Sequence, residues 1–187
     1  MLSDEKMSEA EVSLRLAFYL VERRLVASDV AVAIDGAQVQ TAGTVHFPMA
    51  DFLNGYGCTR TEGLESWQGH YSLGVEHCVR IHSAPGQGDV VARLKTGHTL
   101  RVESKKGPLT RSKSSQEYPL LREALGQLLT IERVEPDDIL AVAVPKSPKF
   151  DELVGRWRKA PLIHRFGIRL LTVGRDGSVD GLGPVPA

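Results

Sequence analysis

The stretch Asp89-Val90-Val91-Ala92-Arg93-Leu94-Lys95-Thr96-Gly97-His98-Thr99-Leu100-Arg101-Val102-Glu103-Ser104-Lys105 decides how this chain is read. Val90, Ala92 and Leu94 alternate with Asp89, Val91 and Arg93, and Leu100 and Val102 alternate with Arg101, Glu103 and Lys105. A period of two marks strands with one apolar face. Lys95-Thr96-Gly97 fits a three-residue loop with Gly97 in the left-handed position, so the strands form a hairpin. In that register Leu94 faces His98 and Asp89 lies opposite Glu103. Directly opposed residues share a face, with Cβ atoms about 5 Å apart. Lys105, two residues beyond Glu103, projects from that same face. One side builds core, and the other gathers two carboxylates and an ammonium.

Opposed carboxylates repel each other. A divalent cation removes that conflict, and Mg²⁺, with Mn²⁺ as a substitute, is commonly held by one or two carboxylates plus a substrate phosphate. Such an ion generates hydroxide and orients the phosphate. A neighbouring lysine stabilises charge on phosphorus or positions the attacking water. The residue types match phosphodiester hydrolysis. The competing reading is an amphipathic edge hairpin whose charges face water.

Working outward, residues 8 to 27 read as a helix. Ser8 caps it, Glu11 completes a capping-box pattern, and Met7, Ala10, Leu14, Ala17, Phe18, Val21 and Leu25 form its apolar stripe. A hairpin is expected over 30 to 41, turning at Asp35-Gly36. From 44 to 70 the sequence is irregular, with a short helix near 49 to 53, so about 30 to 74 reads as a loop-rich insertion in a single domain spanning 1 to 187. A strand is expected over 74 to 81. A helix over 116 to 132, a buried strand over 139 to 144, a helix over 148 to 159 and a strand over 167 to 173 follow, with a turn at Asp176-Gly177. The order describes an α/β fold, a mixed central sheet flanked by helices.

Composition sets bounds. The 187 residues are 42% apolar and 25% charged, with 23 Lys and Arg against 23 Asp and Glu. That balance argues against a protein that coats nucleic acid through overall charge. No apolar run approaches the roughly 18 residues of a membrane span. The polar start does not read as a signal peptide, and two cysteines make no disulfide framework, so a cytoplasmic location is expected. Cys58, His70, His77, Cys78 and His82 lack the paired spacing of a zinc site. Charge is uneven, however. Arg101, Lys105, Lys106, Arg111 and Lys113 stand against Glu103 alone.

Gly88-Asp89, followed by a strand ending Val102-Glu103-Ser104-Lys105, resembles the PD-(D/E)xK signature of restriction-endonuclease-like nucleases. The segment Leu121-Arg122-Glu123-Ala124-Leu125-Gly126-Gln127-Leu128-Leu129 is similar to the helix that follows the ExK strand in many members, where a Gln faces the site. Gln87-Gly88 departs from the proline that gives the signature its first letter. The resemblance covers 8 to 27 and 75 to 173. It implies a restriction-endonuclease-like core and an Mg²⁺-dependent endonuclease acting on nucleic acid, DNA ahead of RNA. It also implies that Asp89, Glu103 and the Ser104 carbonyl bind metal and that Lys105 acts on water or phosphate. Gln127 would buttress the site, unless it is an ordinary boundary residue. Glu11 would bind or orient a second ion, although its capping position explains it equally well. Lys106, Arg111 and Lys113 would contact phosphates. A homodimer, or a place within a larger complex, fits cutting of two strands. The alternative is a non-catalytic nucleic-acid-binding or assembly subunit with the same fold.

Overall fold

The computed structural model describes residues 2–62, 66–74, 76–110 and 116–183. The first half contains β1 (Lys6–Met7), α1 (Glu9–Glu22), β2 (Val30–Ala33), α2 (Gly36–Val39), β3 (Gln40–Thr41), β4 (Thr44–Val45), α3 (Met49–Gly55), β5 (Thr59–Glu62) and β6 (Gly69–Ser72). The hairpin region contains β7 (Cys78–His82), β8 (Val90–Arg93), β9 (Thr99–Ser104) and β10 (Gly107–Pro108). The remainder contains α4 (Glu117–Leu128), β11 (Asp138–Pro145), α5 (Pro148–Trp157), α6 (Pro161–Arg165), β12 (Arg169–Val173) and β13 (Val179–Asp180). No helix among the described residues is long and apolar enough to cross a membrane.

Among the described residues, nine strands form one mixed sheet in the order β13-β12-β11-β9-β8-β2-β7-β6-β5. The hairpin takes the register its alternation requires, with Val90 opposite Val102 and Arg93 opposite Thr99. Leu94 donates to the His98 carbonyl, and Gly97 sits at φ +89°. The hairpin is not at an edge, because β9 also pairs in parallel with β11 and β8 pairs with β2. The water-facing edge reading therefore fails.

Val90, Ala92, Leu100 and Val102 are fully buried on the face that α1 covers. On the opposite face α4 and α5 pack Leu121, Leu128, Phe150 and Leu153 over Val142, Val144 and Leu170. Helix α1 starts where the Ser8 hydroxyl accepts the Glu11 N–H at 3.1 Å. The helix ends at Glu22, short of the expected 27. Its stripe is buried except Leu25, which lies past the helix end and is half-buried. Val12, Leu16 and Leu20 are buried as well, with Phe52 of α3 stacked on Phe18. The β1–β10 ribbon ties the start of α1 to the chain leaving β9, with Met7 opposite Gly107. Only glycine fits at 107, since an added Cβ would overlap the Phe150 ring.

Several expectations are corrected. Residues 30 to 41 are not a hairpin: after β2, the Asp35 carboxylate accepts the Ala37 N–H and caps α2. The stretch 30 to 74 is not simply a loop-rich insertion, for β2 is an inner strand and β5 and β6 extend the sheet. Every residue of β5 is exposed, so no apolar alternation marked it. The short helix α6 was not anticipated.

Glu11 is the clearest correction. It is 1% exposed, with its carboxylate between Arg15 at 2.9 Å and Arg175 at 2.8 Å. Arg175 grips both oxygens and also donates to the Lys6 carbonyl. Arg15 donates in addition to the Tyr56 hydroxyl and the Arg175 carbonyl. Glu11 is thus the centre of a clasp between α1 and the turn after β12. Breaking a buried ion pair from one side leaves an uncompensated charge. Arg175→Ala is therefore expected to lower unfolding free energy by about 2 kcal/mol, discounted because the arginine is partly exposed. Urea titration measures this, and a loss below about 0.5 kcal/mol would show that the clasp is not structural.

Candidate active site

Gly88 brings the chain into β8. Its φ is +95° and it lies against the Val102 backbone, a position closed to side chains. Proline, with φ fixed near −65°, has no place there. Asp89 follows, one residue before the first paired residue of β8, with its N–H bonded to the Val102 carbonyl at 2.8 Å. Its Oδ2 accepts the Ser104 N–H at 2.7 Å, which fixes the carboxylate and leaves Oδ1 unengaged by that bond.

Glu103 and Lys105 stand at the end of β9. Lys105 is 5% exposed, and its N–H bonds to the Ala143 carbonyl, so its backbone is held by β11. Its ammonium donates to Glu9 at 3.1 Å and lies 3.5 Å from Glu123. Glu9 also accepts from Gln38 at 3.1 Å. Three elements besides the hairpin, namely α1, α4 and the start of α2, thus supply neighbours.

The electrostatics follow from crowding. Burial first, then the Glu103 charge, pushes the Asp89 carboxyl up to about 7, against the pull of the Ser104 N–H and Lys105. Burial, aided by Glu9, also lifts Glu103 despite Lys105. Burial works against the Lys105 ammonium. The Glu9 charge and hydrogen bond, with Glu123 and Asp89 behind them, overcome it and raise its pKa. Glu9, Asp89, Glu103 and Glu123 face one lysine, so the region carries surplus negative charge.

The structure brings Asp89, Glu103, Ser104 and Lys105 together. It does not bring Glu11, which is held by the two arginines. Gln127 is exposed on α4, and its carbonyl accepts from Thr130. The helix residue that reaches the site is Glu123, one turn earlier on the same edge of α4. Lys106 is exposed, while Arg111 and Lys113 lie outside the described residues.

Two contributors escaped the sequence reading. Glu9 is the first residue of α1, and helical side chains lean toward the N-terminus, so it overreaches the helix end toward Lys105. Glu123 precedes Gln127 by four residues, and helical spacing alone marks them as neighbours.

Among the described residues no group of three His, Cys, Asp or Glu is gathered for metal binding. The donors on hand are the Asp89 and Glu103 carboxylates and the Ser104 carbonyl. Two carboxylates, both disfavoured as anions by burial and proximity, fit a hard, oxygen-seeking divalent cation that retains its own waters. Comparison of the chain with protein-family models, curated proteins and solved structures gave no match.

Asp89 leaves a signature in stability. An unfolded chain ionises it near 3.8, and the folded chain at about 7. Between those values the folded state binds more protons, so this group's stabilising contribution is present at pH 4 and is lost as pH rises through 7. Asp89→Asn keeps the acceptor for Ser104 and removes the penalty. In EDTA it is expected to stabilise the protein by about 2 kcal/mol at pH 8, discounted for partial exposure, and by nothing measurable at pH 4. Thermal melts of both proteins across that range test this, and an equal shift at both ends contradicts it.

Proposed function

We propose that this chain is a divalent-metal-dependent phosphodiesterase that cuts nucleic acid, DNA ahead of RNA, on a restriction-endonuclease-like core. One observation carries the reading: Asp89, Glu103 and Lys105 meet at the end of an inner hairpin, with Asp89 pushed up to about 7. A purely structural hairpin gains nothing from that repulsion. A nucleic-acid-binding module gains nothing from carboxylates facing phosphate.

In this reading Asp89 and Glu103 would be the anionic donors, and the Ser104 carbonyl would be the third. An Mg²⁺ or Mn²⁺ ion held there supplies Lewis acidity and an activated water. The Ser104 N–H keeps the Asp89 carboxylate aimed. Lys105 stays protonated through neutral pH because its pKa is raised. It therefore serves as a cation toward the phosphate rather than as a base. Glu9 holds that ammonium in place before substrate arrives. Lys106, with Arg111 and Lys113, would meet flanking phosphates.

Plasmid and single-stranded DNA, incubated with Mg²⁺, Mn²⁺ or EDTA, test the proposal. Cleavage is expected with either metal and not with EDTA. Lys105→Ala should lower the rate by about 10²- to 10³-fold. Calorimetry should detect metal binding that Asp89→Asn removes. Metal-stimulated cutting that survives Lys105→Ala sinks the assignment, and DNA binding without any metal binding favours the non-catalytic subunit.

A further inference from the structure

A cavity of about 520 Å³ opens between the β1–β10 ribbon, the segment before α3 and the start of α4. Met7, Phe47, Pro48, Pro108 and Leu120 give it apolar walls. The polar groups of its inner wall already have partners: Ser8 caps α1, and Glu11 lies between Arg15 and Arg175. Lys6 and Lys106 also line it. Both are exposed, and neither side chain makes an ion pair or hydrogen bond among the described residues. A second cavity, of about 370 Å³, shares Ser8, His46 and Lys106 with the first and reaches Glu9. Glu9 holds the Lys105 ammonium. The two spaces therefore adjoin, with the second lying between the apolar chamber and the candidate site.

We propose that this chamber receives one unstacked base of a nucleic-acid strand, with Lys6 and Lys106 holding the phosphates beside it. The inference rests on the phosphodiesterase reading of the adjoining site. An apolar, planar body flanked by anions is the chemistry of a nucleotide within a strand. Apolar walls with a few polar groups at the mouth are what small planar ligands occupy. Enzymes that take a base out of its stack hold it in such a pocket. A base must leave its stack to enter, so the favoured substrate is single-stranded or locally opened.

The test is fluorescence anisotropy in EDTA, where no cutting occurs. The probes are a labelled single-stranded DNA 12-mer, the same strand made fully abasic, and the duplex. The base-bearing single strand should bind at least about tenfold tighter than the abasic one. Leu120→Trp, which fills the chamber, should abolish that difference and leave abasic binding unchanged. Lys6→Ala with Lys106→Ala should weaken every probe and flatten the slope of log K against log salt by about 1.4 for the single strands and about 1.8 for the duplex. Equal affinity of the unaltered protein for base-bearing and abasic strands, or binding of neither, overturns the inference even if the chain cuts DNA. Base-dependent binding without metal-stimulated cutting keeps the chamber and rejects the phosphodiesterase reading, so the two failures are distinct.

Discussion

Two acid groups, partly withdrawn from water and held side by side, set the character of this molecule. Asp89 and Glu103 would separate if their backbones allowed it. The backbone does not, because β9 is pinned between β8 and β11 and the Ser104 N–H anchors the Asp89 carboxylate. Gly88 makes the approach possible by adopting a conformation that side chains resist. The conflict is thus built into an inner hairpin of the sheet, where it is costly to relieve by motion and simple to relieve by a cation.

What the sequence discloses follows from what has a period. The hairpin, α1, α4, α5, β11 and β12 all bury one face or are buried outright, and each was legible. Two kinds of feature were not. Asp35-Gly36 carries the chemistry of both a hairpin turn and a helix start, and only the course of the chain after β2 decides for the cap. The strand β5 is exposed along its length, so pairing, not burial, defines it. At the site, the acidic residue that belongs to α1 was placed two positions late. Glu11 shares the capping signal, but those two positions turn it by more than half a helical circle into the arginine pair. On α4 the error ran the other way, with Gln127 chosen over Glu123, which reaches Lys105.

Charge also needs the fold to be understood. Lys146, Lys149, Arg156, Arg158, Lys159, Arg165 and Arg169 make a basic run after β11. Much of it is engaged internally: Lys146 with Asp180, Lys149 with Glu152, and Arg158 with the Leu170 carbonyl. Lys6 and Lys106, scattered in sequence, both line the chamber at the β1–β10 ribbon, beside the candidate site. A chain with no net charge thereby presents two lysines without an ion pair among the described residues beside the candidate site.

The clasp of Glu11 by Arg175 joins positions 164 residues apart. Contacts of such separation form late, after nearer pairings have reduced the entropy of closing the loop. On the ribosome the β8–β9 hairpin emerges long before residue 175. The start of α1, with Glu9, gains its full anchorage only once residue 175 has been made. Until then a nascent chain carries its acidic pair and its lysine without the finished seat for either.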